Sequence, residues 1–300
     1  MATARPAALT AFLVGTLGIA TFSGMDAVMK GLVIALGIYP TMLWRMLSGL
    51  AMSGALFAAR PVWPSRSTMR LHLYRGALTF VMAMLFFWGL ARVPLAQAIA
   101  LAFIAPLISL FLAAAFLGET IGPKTVGASI IAFAGVMLIF IGQAQADLGH
   151  DALLGSIAIL ASALCYAVNI ILMRSQAQVA GPIEIAFFQN LIVGVLLVAA
   201  WPLFGGAAFP PLGQVPLILL AAFLSTASLL LLSWAYARAE ASYLAATEYT
   251  SFLWAMGFGW LIFGEQVSPF TLAGAGLIVA GCFLAARRPG EASPKLEAAI

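Results

Sequence analysis

The stretch from Ala91 to Gly142 occurs twice in this chain, and the duplication limits the folds open to it. When the sequence is shifted against itself by 146 residues, Ala91-Arg92 falls on Ala237-Arg238 and Gly118-Glu119 on Gly264-Glu265. In the same register Pro123 meets Pro269, Thr125 meets Thr271 and Ala134-Gly135 meets Ala280-Gly281, without a gap. Each copy reads as an apolar run, a Gly-Glu turn, a proline and a second apolar run. Aliphatic matches arise by chance in apolar sequence; charged and turn residues at one fixed offset do not. The chain is an internal duplication.

The apolar runs set the solvent. Ten of them approach the ~20 residues that a transmembrane helix requires: roughly 8–29, 40–59, 71–91, 95–117, 124–142, 153–174, 183–203, 214–236, 241–262 and 269–287. The 300 residues are 64% hydrophobic and 8% charged, whereas about a quarter of a soluble domain is charged. No single water-soluble core accommodates such a chain. Between the runs stand Tyr39-Pro40, Arg60-Pro61, Val93-Pro94, Gly122-Pro123, Gly181-Pro182, Pro210-Pro211 and Ser268-Pro269. Proline, with a fixed φ and no N–H, suits the first turn of a helix. The first run is too long for a signal-peptide core and carries Asp26 and Lys30, so it is expected to remain as a helix. Cys165 and Cys282 both sit inside apolar runs, which supports neither a disulfide framework nor a metal cluster. The expected fold is all-α and integral to the membrane, with five-helix repeats over 8–142 and 153–288 and a tail over 289–300.

Basic residues orient the chain. With the N-terminus in the cytoplasm, Arg5, Arg60, Arg66, Arg70, Arg75, Lys124, Arg174, Arg238, Arg287, Arg288 and Lys295 fall on the cytoplasmic side. Only Lys30 and Arg92 fall outside, and Arg45 lies within a helix. This is the positive-inside bias, so the net charge of +4 reports topology and not nucleic-acid binding. Both termini are expected in the cytoplasm of a multi-pass plasma-membrane protein, in bacteria the inner membrane. Five helices per copy is an odd number, so the second copy enters upside down, with Gly118-Glu119 inside and Gly264-Glu265 outside. Ten helices in two inverted repeats around a central cavity suit a secondary transporter, in which the halves exchange roles and the site opens to alternate sides.

Two such halves resemble the EamA-type members of the drug/metabolite transporter superfamily, over nearly the whole chain from about Leu9 to Arg288. The most specific pieces are Ala98–Pro123, Thr247–Pro269 and the segment from Phe22 to Lys30. Within that family the bacterial amino-acid exporters, an aromatic amino acid exporter among them, are similar in size and helix count. The resemblance implies a basket-like bundle whose cavity is lined mainly by the first, third, fourth, sixth, eighth and ninth helices. It leaves the substrate open, since the superfamily also handles nucleotide sugars, S-adenosylmethionine, riboflavin and drugs.

Ionisable groups inside a bilayer are expensive and face a cavity or a partner. Asp26 and Lys30, spaced i,i+4 near the outer end of the first helix, can pair on one face. Arg45 lies roughly 7–8 Å along the second helix from its outer end. The three form either an outer gate, with Arg45 open to a substrate carboxylate, or a static Asp26–Lys30 or Asp26–Arg45 bridge with snorkelling side chains. The ninth helix is the most polar: Tyr243, Thr247, Ser251 and Trp254 repeat at helical spacing, with Glu248, Tyr249 and Thr250 alongside. The repeat-mate of Glu248 is Ala102, so shared packing does not require the carboxylate. A substrate ammonium site or a proton-coupling group fits there, against a merely adhesive hydroxyl face. Gln97, Tyr166 and Asn169, with Ser225, Thr226, Ser228 and Ser233, can hold the ends of a zwitterion or join helices. Thr79, Phe80, Met84, Phe87 and Trp88 recur every three to four residues, as a wall for an aromatic substrate or as ordinary packing. Ala128 and Gly135, repeated as Gly274 and Gly281, predict close packing of the fifth and tenth helices. Glu119 and Glu265 each precede a proline-started helix, whose positive N-terminal end favours a carboxylate.

Catalysis finds no support. A nucleophile needs a base near it, yet His72 and His150 fall on opposite sides in this topology. No His or Cys cluster has metal spacing, and no Gly-rich phosphate loop is present. Symmetric halves and the lack of a ring of like charges favour a carrier over a channel. The chain therefore reads as a transporter with no catalytic residue, cofactor or metal, working as a monomer in the lipid bilayer on a small-molecule substrate. Export of aromatic or otherwise apolar amino acids is the first expectation; uptake or exchange of S-adenosylmethionine or riboflavin is the alternative.

Overall fold

Helices begin where the turn chemistry puts them. Pro123, Pro182 and Pro269 open helices, and Ser65 and Ser268 each accept a hydrogen bond from the backbone N–H three residues on, at 3.2 and 3.0 Å, as N-caps do. The structure is a computed structural model that describes residues 4–117, 123–145, 149–204, 209–236 and 241–286. Its helices are α1 (Ala4–Leu36), α2 (Ile38–Ala59), α3 (Arg66–Leu90), α4 (Leu95–Ala102), α5 (Ala105–Leu117), α6 (Pro123–Gln145), α7 (Gly149–Ala177), α8 (Pro182–Ala199), α9 (Val215–Tyr236), α10 (Ala241–Phe263) and α11 (Pro269–Ala286). Among the described residues there is no strand, and seven helices are long and apolar enough to cross a membrane. The outer surface carries Leu13, Leu17, Ile130, Phe133, Trp260 and Leu261, while Asp26, Lys30, Arg45, Arg75 and Gln97 are buried. Such an inversion of polarity requires an apolar surrounding.

The largest departures from the sequence boundaries are in two elements. α1 continues to Leu36, beyond the expected end near residue 29. The run 95–117 is broken into α4 and α5 by a turn at Phe103-Ile104. Pro106 is the cause: it has no N–H for the carbonyl of Ala102, and its ring crowds that carbonyl, so the helix stops there and restarts.

Two pairs of corresponding helices, α6 with α11 and α2 with α8, pack antiparallel. In α6 and α11, a Cβ added at Gly135 would lie 2.6 Å from the Gly274 carbonyl oxygen, and one at Gly281 would lie 2.6 Å from that of Ala128. Under the 146-residue shift the first contact becomes the second, so the pairing maps onto itself when the halves are exchanged. α2 and α8 also run antiparallel, from Gly49 beside Asn190 to Phe57 stacked on Phe187 at 4.5 Å. The α3–α7 pair maps onto the α9–α1 pair: Ser162 donates to the Met82 carbonyl at 2.9 Å, and Ser228, which occupies the Met82 position of the second repeat, donates to that of Gly18 at 2.9 Å.

The α6–α11 seam leaves no room for a side chain. Gly135→Ala is expected to destabilise the protein by about 1–3 kcal/mol through overpacking, read as a lower melting temperature in detergent. Gly127→Ala, whose Cβ would meet nothing within 4 Å, is the control and is expected to be neutral or slightly stabilising. Equal melting of the two variants would rule out close packing as the role of Gly135.

Candidate functional site

Among the described residues, the buried ionisable groups form two clusters and a pair between them. Asp26 on α1 is 1% exposed, and neither carboxylate oxygen has a hydrogen-bond partner. Arg45 on α2 is buried; its Nη2 donates to Ser225 Oγ at 2.8 Å while its Nε has no partner. The two charges act on one another through space, without an ion contact within 4 Å. Tyr166 on α7 packs beside Ala105 of α5 and Ala163 and Ala167 of its own helix. Thr79 on α3, with a buried and unpartnered Oγ1, lies near the midpoint of its helix.

The Lys30 cluster stands one turn along α1 from Asp26. The expected Asp26–Lys30 bridge does not form. Lys30 pairs instead with Glu265, donates to the Val93 carbonyl and lies 5.2 Å from the centre of the Phe263 ring. Glu265 also departs from expectation: it does not serve the helix that follows it, and its Oε2 accepts from Leu95 N–H, the first residue of α4, at 2.7 Å. Gly264 is the reason. Its φ of +65° ends α10 in the left-handed conformation that glycine adopts freely, turning Glu265 back so that its N–H reaches the Gly259 carbonyl at 3.0 Å. The carboxylate thus meets both the open N-terminus of α4 and a lysine already held by Val93. Its repeat-mate Glu119 lies outside the described residues.

The His72 cluster lies at the other end of α3. The positive-inside count includes Arg75 as a cation at a helix end, but the structure buries it: Nε donates to Asn169 Oδ1 at 3.1 Å and Nη1 to Gln176 Oε1. Gln176 Nε2 is 2.6 Å from His72 Nδ1, and His72 Nε2 is 3.1 Å from Glu184 Oε1 on α8. From His72 to Leu90 at the far end of α3 the rise is about 27 Å at 1.5 Å per residue, close to the hydrocarbon thickness of a bilayer. The two clusters therefore lie toward opposite ends of the bundle.

The remaining expected residues divide. Gln97 donates to Gln143 at 3.0 Å and Ser156 at 3.1 Å, joining α4, α6 and α7 beside a cavity of about 100 Å³. Trp88 carries Arg92 stacked 3.6 Å from its ring and lines a cavity of about 400 Å³ with Val33, Gly37 and Asp151. Neither cavity reaches Tyr166 or Glu248. Glu248 is exposed, Tyr249 meets Phe103 edge-on at 5.5 Å, and Trp254 is half-exposed beside Phe258. Ser251 donates within α10 to the Glu248 carbonyl at 2.6 Å. Thr247 is buried, and the side chain of Tyr243 lies outside what the structure describes. Nothing in the sequence pairs His72 with Gln176 or Glu184, which the fold brings to its two ring nitrogens. The signal for the histidine alone was present: His72, Arg75 and Thr79 repeat at i, i+3 and i+7, a polar stripe on one face of an apolar helix.

Comparisons with known proteins give the family. The model of the EamA-like transporter family matches residues 9–141 and 153–287, which are the two halves of the duplication. The chain is similar to the pseudopaline exporter CntI of Pseudomonas aeruginosa, 26% identical over 92% of this chain and 95% of that one. It is also similar to the riboflavin transporter of Rhizobium johnstonii, 32% identical over 75% of this chain and 70% of that one. A solved crystal structure shares the fold with a TM-score of 0.60 at 21% identity, over 92% of this chain and 96% of the other. With membrane-spanning helices, polar groups turned inward and the family pattern repeated in each half, the chain belongs to the EamA-like transporter family and is not an enzyme.

Proposed function

We propose that this protein is a ten-span secondary carrier of zwitterionic metabolites, exporting aromatic or apolar amino acids across the inner membrane with both termini in the cytoplasm. The observation that carries the reading is the Asp26–Arg45 pair. A carboxyl group with two open oxygens and a guanidinium with an open Nε sit buried without an ion contact to each other, so both keep hydrogen-bonding capacity unused. A buried polar group without a partner demands an explanation. The ammonium and carboxylate of an amino acid supply the missing partners at both charges. Tyr166, Phe103 and Tyr249 offer aromatic faces for its side chain.

Alternating access follows from the pairing of the halves. Contacts that map onto one another under exchange of the repeats support an inverted duplication, in which either half can adopt the packing of the other. In this conformation the Lys30–Glu265 pair ties α1 to the α10–α11 turn and to the start of α4, closing that end. A second reading, uptake or exchange of riboflavin, is favoured by the relative from Rhizobium johnstonii; exchange of S-adenosylmethionine is a further variant of it.

The purified protein in liposomes, offered a panel of labelled amino acids, riboflavin and S-adenosylmethionine, tests the assignment. Saturable uptake with counterflow is expected for phenylalanine and leucine and not for riboflavin. Saturation by riboflavin alone establishes the second reading, and flux without saturation or counterflow describes a channel.

A further inference from the structure

The hydrogen-bond chain at the His72 end has one polarity. Arginine only donates, so the bond from Arg75 Nη1 fixes which end of the Gln176 amide is oxygen. Its Nε2 then donates to His72 Nδ1, which must be unprotonated, and the proton of the neutral ring sits on Nε2 and donates to Glu184. All four side chains are buried. A proton arriving at Nδ1 sets an imidazolium N–H against the amide N–H of Gln176 and breaks that bond. A proton arriving at Glu184 removes the anion that faces the ring. Either event loosens the joint of α3 with α7 or α8 at one face of the bundle.

Packing does not require this cluster. Under the repeat shift His72 corresponds to Ile218, Arg75 to Ala221 and Glu184 to Ile38, while Gln176 corresponds to Lys30. Among the described residues, the opposite end is held by a lysine–carboxylate pair and this end by a histidine–carboxylate pair. Among the described residues, the charged groups round the imidazole are Arg75 on its own helix and Glu184 on α8. α7 presents the neutral Gln176, and Phe188 stacks on the ring at 4.9 Å with Phe57 and Trp63 edge-on behind it.

We propose that His72 and Glu184 form the proton-binding site of the transport cycle, so that the carrier exchanges its substrate for protons. The proton enters at His72 Nδ1 or the Glu184 carboxylate and leaves to water on the other side after the bundle has reversed; only N–H and O–H bonds form and break. The inference rests on the carrier reading and extends it by naming the coupling ion and its site.

Liposomes holding the full chain, loaded with a pH-sensitive dye, are given tritiated L-phenylalanine, with riboflavin as second cargo. Wild-type protein is expected to move protons when cargo is added and to accumulate cargo at least tenfold under an imposed pH gradient. His72→Gln should keep counterflow and lose both proton movement and accumulation, so that the cargo ratio falls to one. Glu184→Gln should behave alike and serves if His72→Gln melts too low for reconstitution. Counterflow without cargo-driven proton movement in the wild type, or accumulation that survives in both variants, overturns the coupling site and leaves the carrier reading standing. Absence of counterflow with either cargo overturns both.

Discussion

Glu265→Gln is expected to lower the stability of the protein by roughly 3–5 kcal/mol, the usual consequence of leaving a buried charge without its partner. Lys30 is 4% exposed; without Glu265 its ammonium keeps only the Val93 carbonyl and the Phe263 ring, neither of which neutralises it. The amide is nearly isosteric and can still accept from Leu95 N–H, so the variant isolates the charge and leaves the α4 start intact. The melting temperature in detergent should fall on the order of 10 °C. Lys30→Met in the same background should recover most of the loss, because the double variant no longer buries an unpaired charge. The double-mutant cycle then reports a coupling of more than 1 kcal/mol. Additive effects of the two substitutions would show that the ion pair does not hold this end together.

Much of the scaffold was legible before any coordinate. The offset that pairs Gly135 with Gly281 already identifies the α6–α11 seam, because small residues two turns apart serve little else in an apolar helix. The prolines that open α6, α8 and α11 act locally, and local rules locate them. Pro106 follows the same rule, yet hydropathy alone reads straight through it. The ionic partners were a different matter. Spacing along α1 offers Asp26 to Lys30, whereas the partner chosen, Glu265, is brought from the far end of the chain by a left-handed glycine and held by the start of α4. Arg75 looks like a loop cation in a one-dimensional count because it follows Arg66 and Arg70; only the approach of α7 shows that Asn169 and Gln176 are waiting for it. Periodicity names the face of a helix, and tertiary packing decides what that face meets.

Asp26→Asn is expected to reduce transport about 100-fold while leaving the melting temperature unchanged or slightly raised. The two outcomes follow from one geometry. A charge-assisted hydrogen bond contributes about 1.5–3 kcal/mol, and each 1.4 kcal/mol is a factor of ten in binding or rate, so loss of the carboxylate that meets a substrate ammonium removes two orders of magnitude. In the empty protein that carboxylate has no hydrogen bond to lose, and an amide of the same shape is easier to bury than an anion. Arg45→Lys should reduce transport too, since an ammonium keeps the charge but cannot offer a planar fork to a carboxylate. A static bridge makes the opposite forecast: Asp26→Asn would then strand Arg45, melting would drop by several kcal/mol, and transport per folded molecule would be preserved. Initial rates and melting curves measured on the same preparations separate the cases, because in a carrier the unpartnered charges are held in reserve for the substrate at the expense of stability.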